Sequence, residues 1–92
     1  MRIKKVFSSN DYQIIRAELQ GGDSISEGYV TSFAFVSIIK GRAKVSLKEM
    51  EFGISEGGSF LMQEKKSFNL EVVEDLIAYI LCTPEATFKG ID

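Results

Sequence analysis

The alternation of apolar and polar residues is the strongest signal along the chain. Between residues 42 and 48, Ala43, Val45 and Leu47 alternate with Arg42, Lys44, Ser46 and Lys48. That is the two-residue period of a strand with one buried and one wet face. Residues 12–19 repeat the pattern more weakly. Residues 30–39 are long and rich in β-branched and aromatic side chains, as in a strand covered on both faces. Residues 60–63, 68–73 and 76–82 complete the expected strands, and no stretch sustains the apolar spacing of a helix. Gly21, Gly22 and Asp23, then Gly41, Gly53, Gly57 and Gly58, supply the backbone freedom of tight reversals. Short antiparallel strands with glycine turns and no helix to hide an edge point to a closed barrel or a two-sheet jelly roll.

Ninety-two residues with 45% hydrophobic content and one proline describe a single folded domain, residues 1–92, with room for one core. The net charge of −2 offers no footprint for a polyanion, so nucleic acid is not an expected partner. The pairs Lys4 with Lys5 and Lys65 with Lys66 read as solvated positions. The basic start is followed by Ser8, Ser9, Asn10 and Asp11 rather than by an apolar export segment. The apolar runs at 33–39 and 76–82 are far shorter than the roughly 20 residues of a spanning helix. A cytoplasmic protein that does not enter the membrane is the expectation. Cys82, the only cysteine, sits beside Ile80 and Leu81 and reads as a small hydrophobe inside a strand.

From Ser37 to Pro84 the chain resembles the cupin family. The run VSIIKG at 36–41 followed by RAKVSL at 42–47 looks like the cupin strand, glycine turn and strand, and ISEGGSFLM at 54–62 looks like the turn into the second cupin motif. The resemblance implies a cupin-like jelly-roll barrel. A catalytic cupin carries two histidines and a glutamate in its first motif and a histidine in its second, whereas this chain has no histidine. Counting back from Gly41 puts Ala34 in the glutamate slot, and Glu27 with Tyr29, or Gly28 with Val30, in the histidine slots. Counting forward from Gly57 puts Gln63 where the motif has proline and Phe68 in the last ligand slot. Ala34 and Phe68 have no donor atom for zinc, iron or nickel, so neither a metal nor another cofactor is expected. The nearest likeness within the cupins is to the small metal-free C-terminal lobe of type I mannose-6-phosphate isomerases. It rests on Ser32 with Phe33, SIIKG at 37–41, EGGSFL at 56–61, FNLE at 68–71 and the closing Thr83 with Pro84. In that family the catalytic zinc sits in another lobe, so the likeness implies a companion domain or a stand-alone descendant.

In the cupin register Ala34, Val36, Ile38, Ala43, Val45, Leu47, Phe60, Met62, Phe68, Leu70 and Val72 point inward, which favours a packed core over a polar pocket. Glu27, Tyr29 and Tyr79 are the polar-tipped residues placed to reach a barrel mouth, where a sugar phosphate or organic acid could be bound. No serine has a histidine or other general base, the carboxylates have no acid/base spacing, and Lys40, Lys44 and Lys48 read as solvent-facing, so no catalytic residue is nominated. Phe33, Phe35 and Ile39 point away from the interior and would leave an exposed patch unless covered by a second sheet, by the segment from Ile3 to Phe7, or by a subunit or domain interface. Two readings follow. One is a non-catalytic module acting through protein contacts, as a homodimer or as the companion lobe of a sugar-phosphate isomerase-like enzyme. The other is a small-molecule binding protein, or weak metal-free isomerase, using the barrel mouth.

Overall fold

A computed structural model of the chain describes residues 1–90. Eight strands follow in order: β1 (Arg2–Ser8), β2 (Gln13–Leu19), β3 (Ser24–Val30), β4 (Ala34–Leu47), β5 (Met50–Ser55), β6 (Ser59–Met62), β7 (Phe68–Cys82) and β8 (Phe88–Lys89). All pairings are antiparallel. The all-β barrel expected from the alternation is the fold observed. Among the described residues no helix is long and apolar enough to cross a membrane.

Two long strands organise the barrel. The C-terminal half of β7 lies between β2 and the first half of β4, extending to β1 on one side and β6 on the other. Its N-terminal half lies between β3 and the second half of β4, extending to β8 and β5. Since β4 and β7 pass through both halves, the sheet curls over a single core.

That core is the inward set that the cupin register implies. Ala34, Val36, Ile38, Ala43, Val45, Met62, Phe68 and Val72 are buried, and Leu47, Phe60 and Leu70 pack against them. Cys82 is buried, as its neighbours imply, but at the C-terminal end of β7 rather than inside the strand.

Residues 2–8, 24–30, 50–55 and 88–89 are strands beyond those expected, and Gly53 lies within β5 rather than at a reversal. Other boundaries differ from the expectation for identifiable physical reasons. Residues 30–39 are not one strand, because residues 31–33 leave the sheet. Thr31 N–H donates to the Thr87 carbonyl at 3.0 Å and Thr87 N–H to Thr31 Oγ1 at 2.9 Å, which ties this bend to the C-terminal segment. Conversely, Gly41 does not reverse the chain; β4 runs through it with φ +91°. A side chain there would overlap the Asp75 carbonyl oxygen and sit 2.9 Å from the Glu74 oxygen. Glycine therefore lets two bent strands cross at backbone contact, and the register slips on both sides of it. The same crossing makes 68–82 one strand rather than two, with Arg42 Nε 3.1 Å from Glu74 Oε1 across the bend.

Candidate functional site

The interior is where the family resemblance would place chemistry, and cross-strand register shows what is there. Of the two alignments left open by the sequence, the structure turns Gly28 and Val30 inward and leaves Glu27 and Tyr29 exposed. Gly28 pairs directly with Phe68, and Ala34 pairs with Met62 on one side and Cys82 on the other. The slots that hold ligands in a catalytic cupin are thus occupied by Gly28, Val30, Ala34 and Phe68. None of these side chains has a donor atom, so the residues present do not fit a metal. Among the described residues no cluster of three or more His, Cys, Asp or Glu side chains is placed to hold one.

Among the described residues one buried polar side chain, which the sequence pattern does not single out, breaks the apolar interior. Gln13 Nε2 donates to the carbonyls of Thr83, Pro84 and Ala86 at 2.8, 3.1 and 3.3 Å, tying the end of β7 to the start of β2. Its register partner is Cys82, whose thiol pKa is pushed up by burial, an effect opposed by its hydrogen bond with Gln13. Among the described residues no buried side-chain nitrogen or oxygen lacks a hydrogen-bond partner. Gln13 is therefore a clamp with its bonds already made. What remains inside the barrel is a cavity of about 60 Å³ with a wholly apolar wall, including Ala17, Ala78, Ile38 and Phe60.

The three residues nominated for a barrel mouth do not converge. Glu27, at φ +54°, occupies a bulge in β3, where its N–H donates to Asn69 Oδ1 at 2.7 Å. Tyr29 is exposed and pairs with Lys89 on β8. Tyr79 lies in the other half of the barrel, on the outer face, where Arg16 Nη1 donates to its hydroxyl at 3.0 Å. None of the three lines the interior cavity. Arg16 also pairs with Glu18 at 2.9 Å. That hydrogen bond is the main influence holding the Glu18 carboxyl below its ordinary range and the guanidinium above its own.

The outer face of the β1-β2-β7-β4-β6 half has a different character. Phe7 pairs with Ile14, Ile14 with Leu81, Leu81 with Phe35 and Phe35 with Leu61. Cross-strand partners project from the same face of a sheet. One uninterrupted apolar row therefore crosses five strands, a span of about 19 Å at the usual strand spacing. Phe7 is 48%, Leu81 37%, Phe35 42% and Leu61 53% exposed. Phe33 and Tyr12 are exposed near its two ends, and Tyr12 stacks against Phe7 at 5.6 Å between ring centroids. Of the residues expected to face outward, Phe33, Phe35 and Ile39 all do. The N-terminal segment does not cover them: it is β1, which extends the sheet beyond β2 and is itself exposed along its length.

No family model matches this chain, and no curated protein matches it. Solved structures do. An RmlC-like cupin with a double-stranded β-helix fold from Methanocaldococcus jannaschii superposes with a TM-score of 0.77 at 19% identity, over 90% of this chain and 79% of that one. A cupin superfamily protein from Desulfitobacterium hafniense gives 0.80 at 13% identity, over 91% and 77%. A variant of salicylate 1,2-dioxygenase from Pseudoaminobacter salicylatoxidans gives 0.82 at 9% identity, over 96% of this chain but 31% of the enzyme. At such identities the likeness establishes the cupin fold and nothing of the chemistry. The narrower likeness to an isomerase lobe rests on the sequence motifs alone.

Proposed function

We propose that this chain is a non-catalytic cupin-like domain that works through protein contacts, and that its partner is a second copy packed on the outer face of β1-β2-β7-β4-β6. The observation that carries this reading is the apolar row from Phe7 through Ile14, Leu81 and Phe35 to Leu61. Single exposed hydrophobics are ordinary, but a contiguous row needs a cover. The row is apolar at every position from one edge strand to the other. A two-fold copy therefore meets hydrocarbon wherever it presents hydrocarbon, the self-complementarity that an isologous dimer requires. The interior supports the non-catalytic half of the reading, because Gly28, Val30, Ala34 and Phe68 stand where a cupin's metal ligands would.

Light scattering on the chain and on Phe35→Glu tests it. The chain is expected at twice its 10.3 kDa mass. Phe35→Glu, which places a charge within the row, is expected as a folded monomer. Equal masses for the two proteins would remove this face as the contact. A chain that is monomeric alone but pairs with a separate catalytic protein would replace the homodimer with the companion-lobe arrangement.

A further inference from the structure

Within the barrel, the inward row made by Ile3, Ala17, Ala78 and Ile38 differs from its neighbour. The next row carries Ile15, Ile80, Val36 and Phe60 on β2, β7, β4 and β6. At the corresponding places on β2 and β7 the first row has only the methyl groups of Ala17 and Ala78, which are register partners. The wall is set back across two adjacent strands, and the cavity of about 60 Å³ is lined by both alanines. Its lining atoms lack van der Waals partners on the open side, and an apolar group entering would supply them without desolvating any polar atom. On the β1 side the cavity borders solvent: Ile3 lines it yet is 45% exposed, on an edge strand. Lys5 follows on that same face, paired with the buried Ile15.

We infer that the barrel takes the alkyl end of a small aliphatic carboxylate, which enters over β1 at Ile3 and leaves its carboxylate at the rim beside Lys5. The size selects the ligand. An apolar cavity of about 150 Å³ admits benzene, so one well under half that volume takes a short alkyl end and no ring. The polarity selects it as well, since the cavity wall has no polar atom to satisfy a sugar or a hydrated ion.

Hexanoate, hexanol and benzoate are the probes, read by the methyl resonances of Ala17 and Ala78 in the full chain. Hexanoate and hexanol are expected to move both methyls saturably and benzoate to leave them in place. Lys5→Gln should weaken hexanoate about two- to fivefold while leaving hexanol unchanged, the range of an exposed ion pair. Ala78→Val and Ala78→Leu fill the cavity and should abolish the response to both chains; the milder Ala78→Val serves if Ala78→Leu fails to fold. Four results would each overturn the inference: unmoved methyls at saturating hexanoate, an undiminished response in the filled variants, equal movement by benzoate, or hexanoate binding indifferent to Lys5. These readouts do not depend on the oligomeric state assigned to the outer face.

Discussion

Replacing Gly41 with alanine tests the bend on which the barrel depends. Two separate penalties add at this position. The backbone has φ +91°, where a non-glycine residue carries strain of about 1–3 kcal/mol. The added Cβ would also overlap the Asp75 carbonyl oxygen and lie 2.8 Å from its carbon, atoms that cannot rotate aside as a side chain can. The crossing strands must therefore move apart where Lys40 pairs with Ile77 and Arg42 with Glu74, beside buried Ala43 and Leu76. A total loss of about 3–5 kcal/mol is expected, large for one methyl group and a sizeable part of the 5–15 kcal/mol typical of a domain. Gly22 separates the two causes: its φ is +97°, but nothing lies within 4 Å of a built Cβ. Gly22→Ala should lose about 1–2 kcal/mol from backbone strain alone. Urea unfolding of the three proteins, compared by midpoint at constant slope, measures both. Equal losses in Gly41→Ala and Gly22→Ala would refute the close crossing as the reason for glycine at position 41.

Gln13→Leu keeps the volume but removes the donor to three carbonyls, and should lower stability by about 1–3 kcal/mol. Faster hydrogen exchange at the Ala86 amide, which donates to the Thr83 carbonyl, is its local sign; unchanged exchange there would dismiss the clamp. Cys82 should stay unreactive toward thiol reagents in native conditions, since it is buried and its pKa is raised. Its folded pKa lies above the unfolded one, so it has no effect at neutral pH, and stability falls as pH climbs past the unfolded thiol's pKa. Reaction at the same rate in native and unfolded protein would contradict the burial. Glu18 has the opposite sign: its lowered pKa contributes stability above the unfolded value, lost as pH falls through the folded one. Arg16→Met should return the Glu18 titration, followed by carboxyl NMR, toward the ordinary range, and an unmoved midpoint would show that the pair is not formed in solution.

How much of this could be read in advance depended on whether the cause was local. Burial alternates with the side chain along a strand, so once the cupin register sets the phase, the eleven inward residues and the outward Phe33, Phe35 and Ile39 are legible. Gly41 misled because a glycine between two alternating runs looks like a reversal. Its actual constraint is Asp75, distant in sequence and brought close only by the curl of β7. The bend at 31–33 is held by Thr87, equally remote. Gln13 occupies an inward position on a strand whose other inward residues, Ile15, Ala17 and Leu19, are apolar, and its partners are backbone carbonyls, which no residue pattern marks. The outer row is a product of register: Phe7, Ile14, Leu61 and Leu81 belong to four strands, and only pairing aligns them with Phe35. Glu27, Tyr29 and Tyr79 were nominated by chemical type, and type alone does not bring residues on β3 and β7 to one place.

The most direct test of the protein-contact account asks whether that row is covered in solution. A soluble paramagnetic agent broadens methyl groups that solvent can reach, and Ile14, Leu61 and Leu81 can be followed together with Val73 and Met50, exposed apolar side chains outside the row. The account predicts that the three row methyls are protected at high protein concentration and become broadened on dilution, while Val73 and Met50 are broadened throughout. Row methyls broadened as strongly as Val73 and Met50 at every concentration would contradict it.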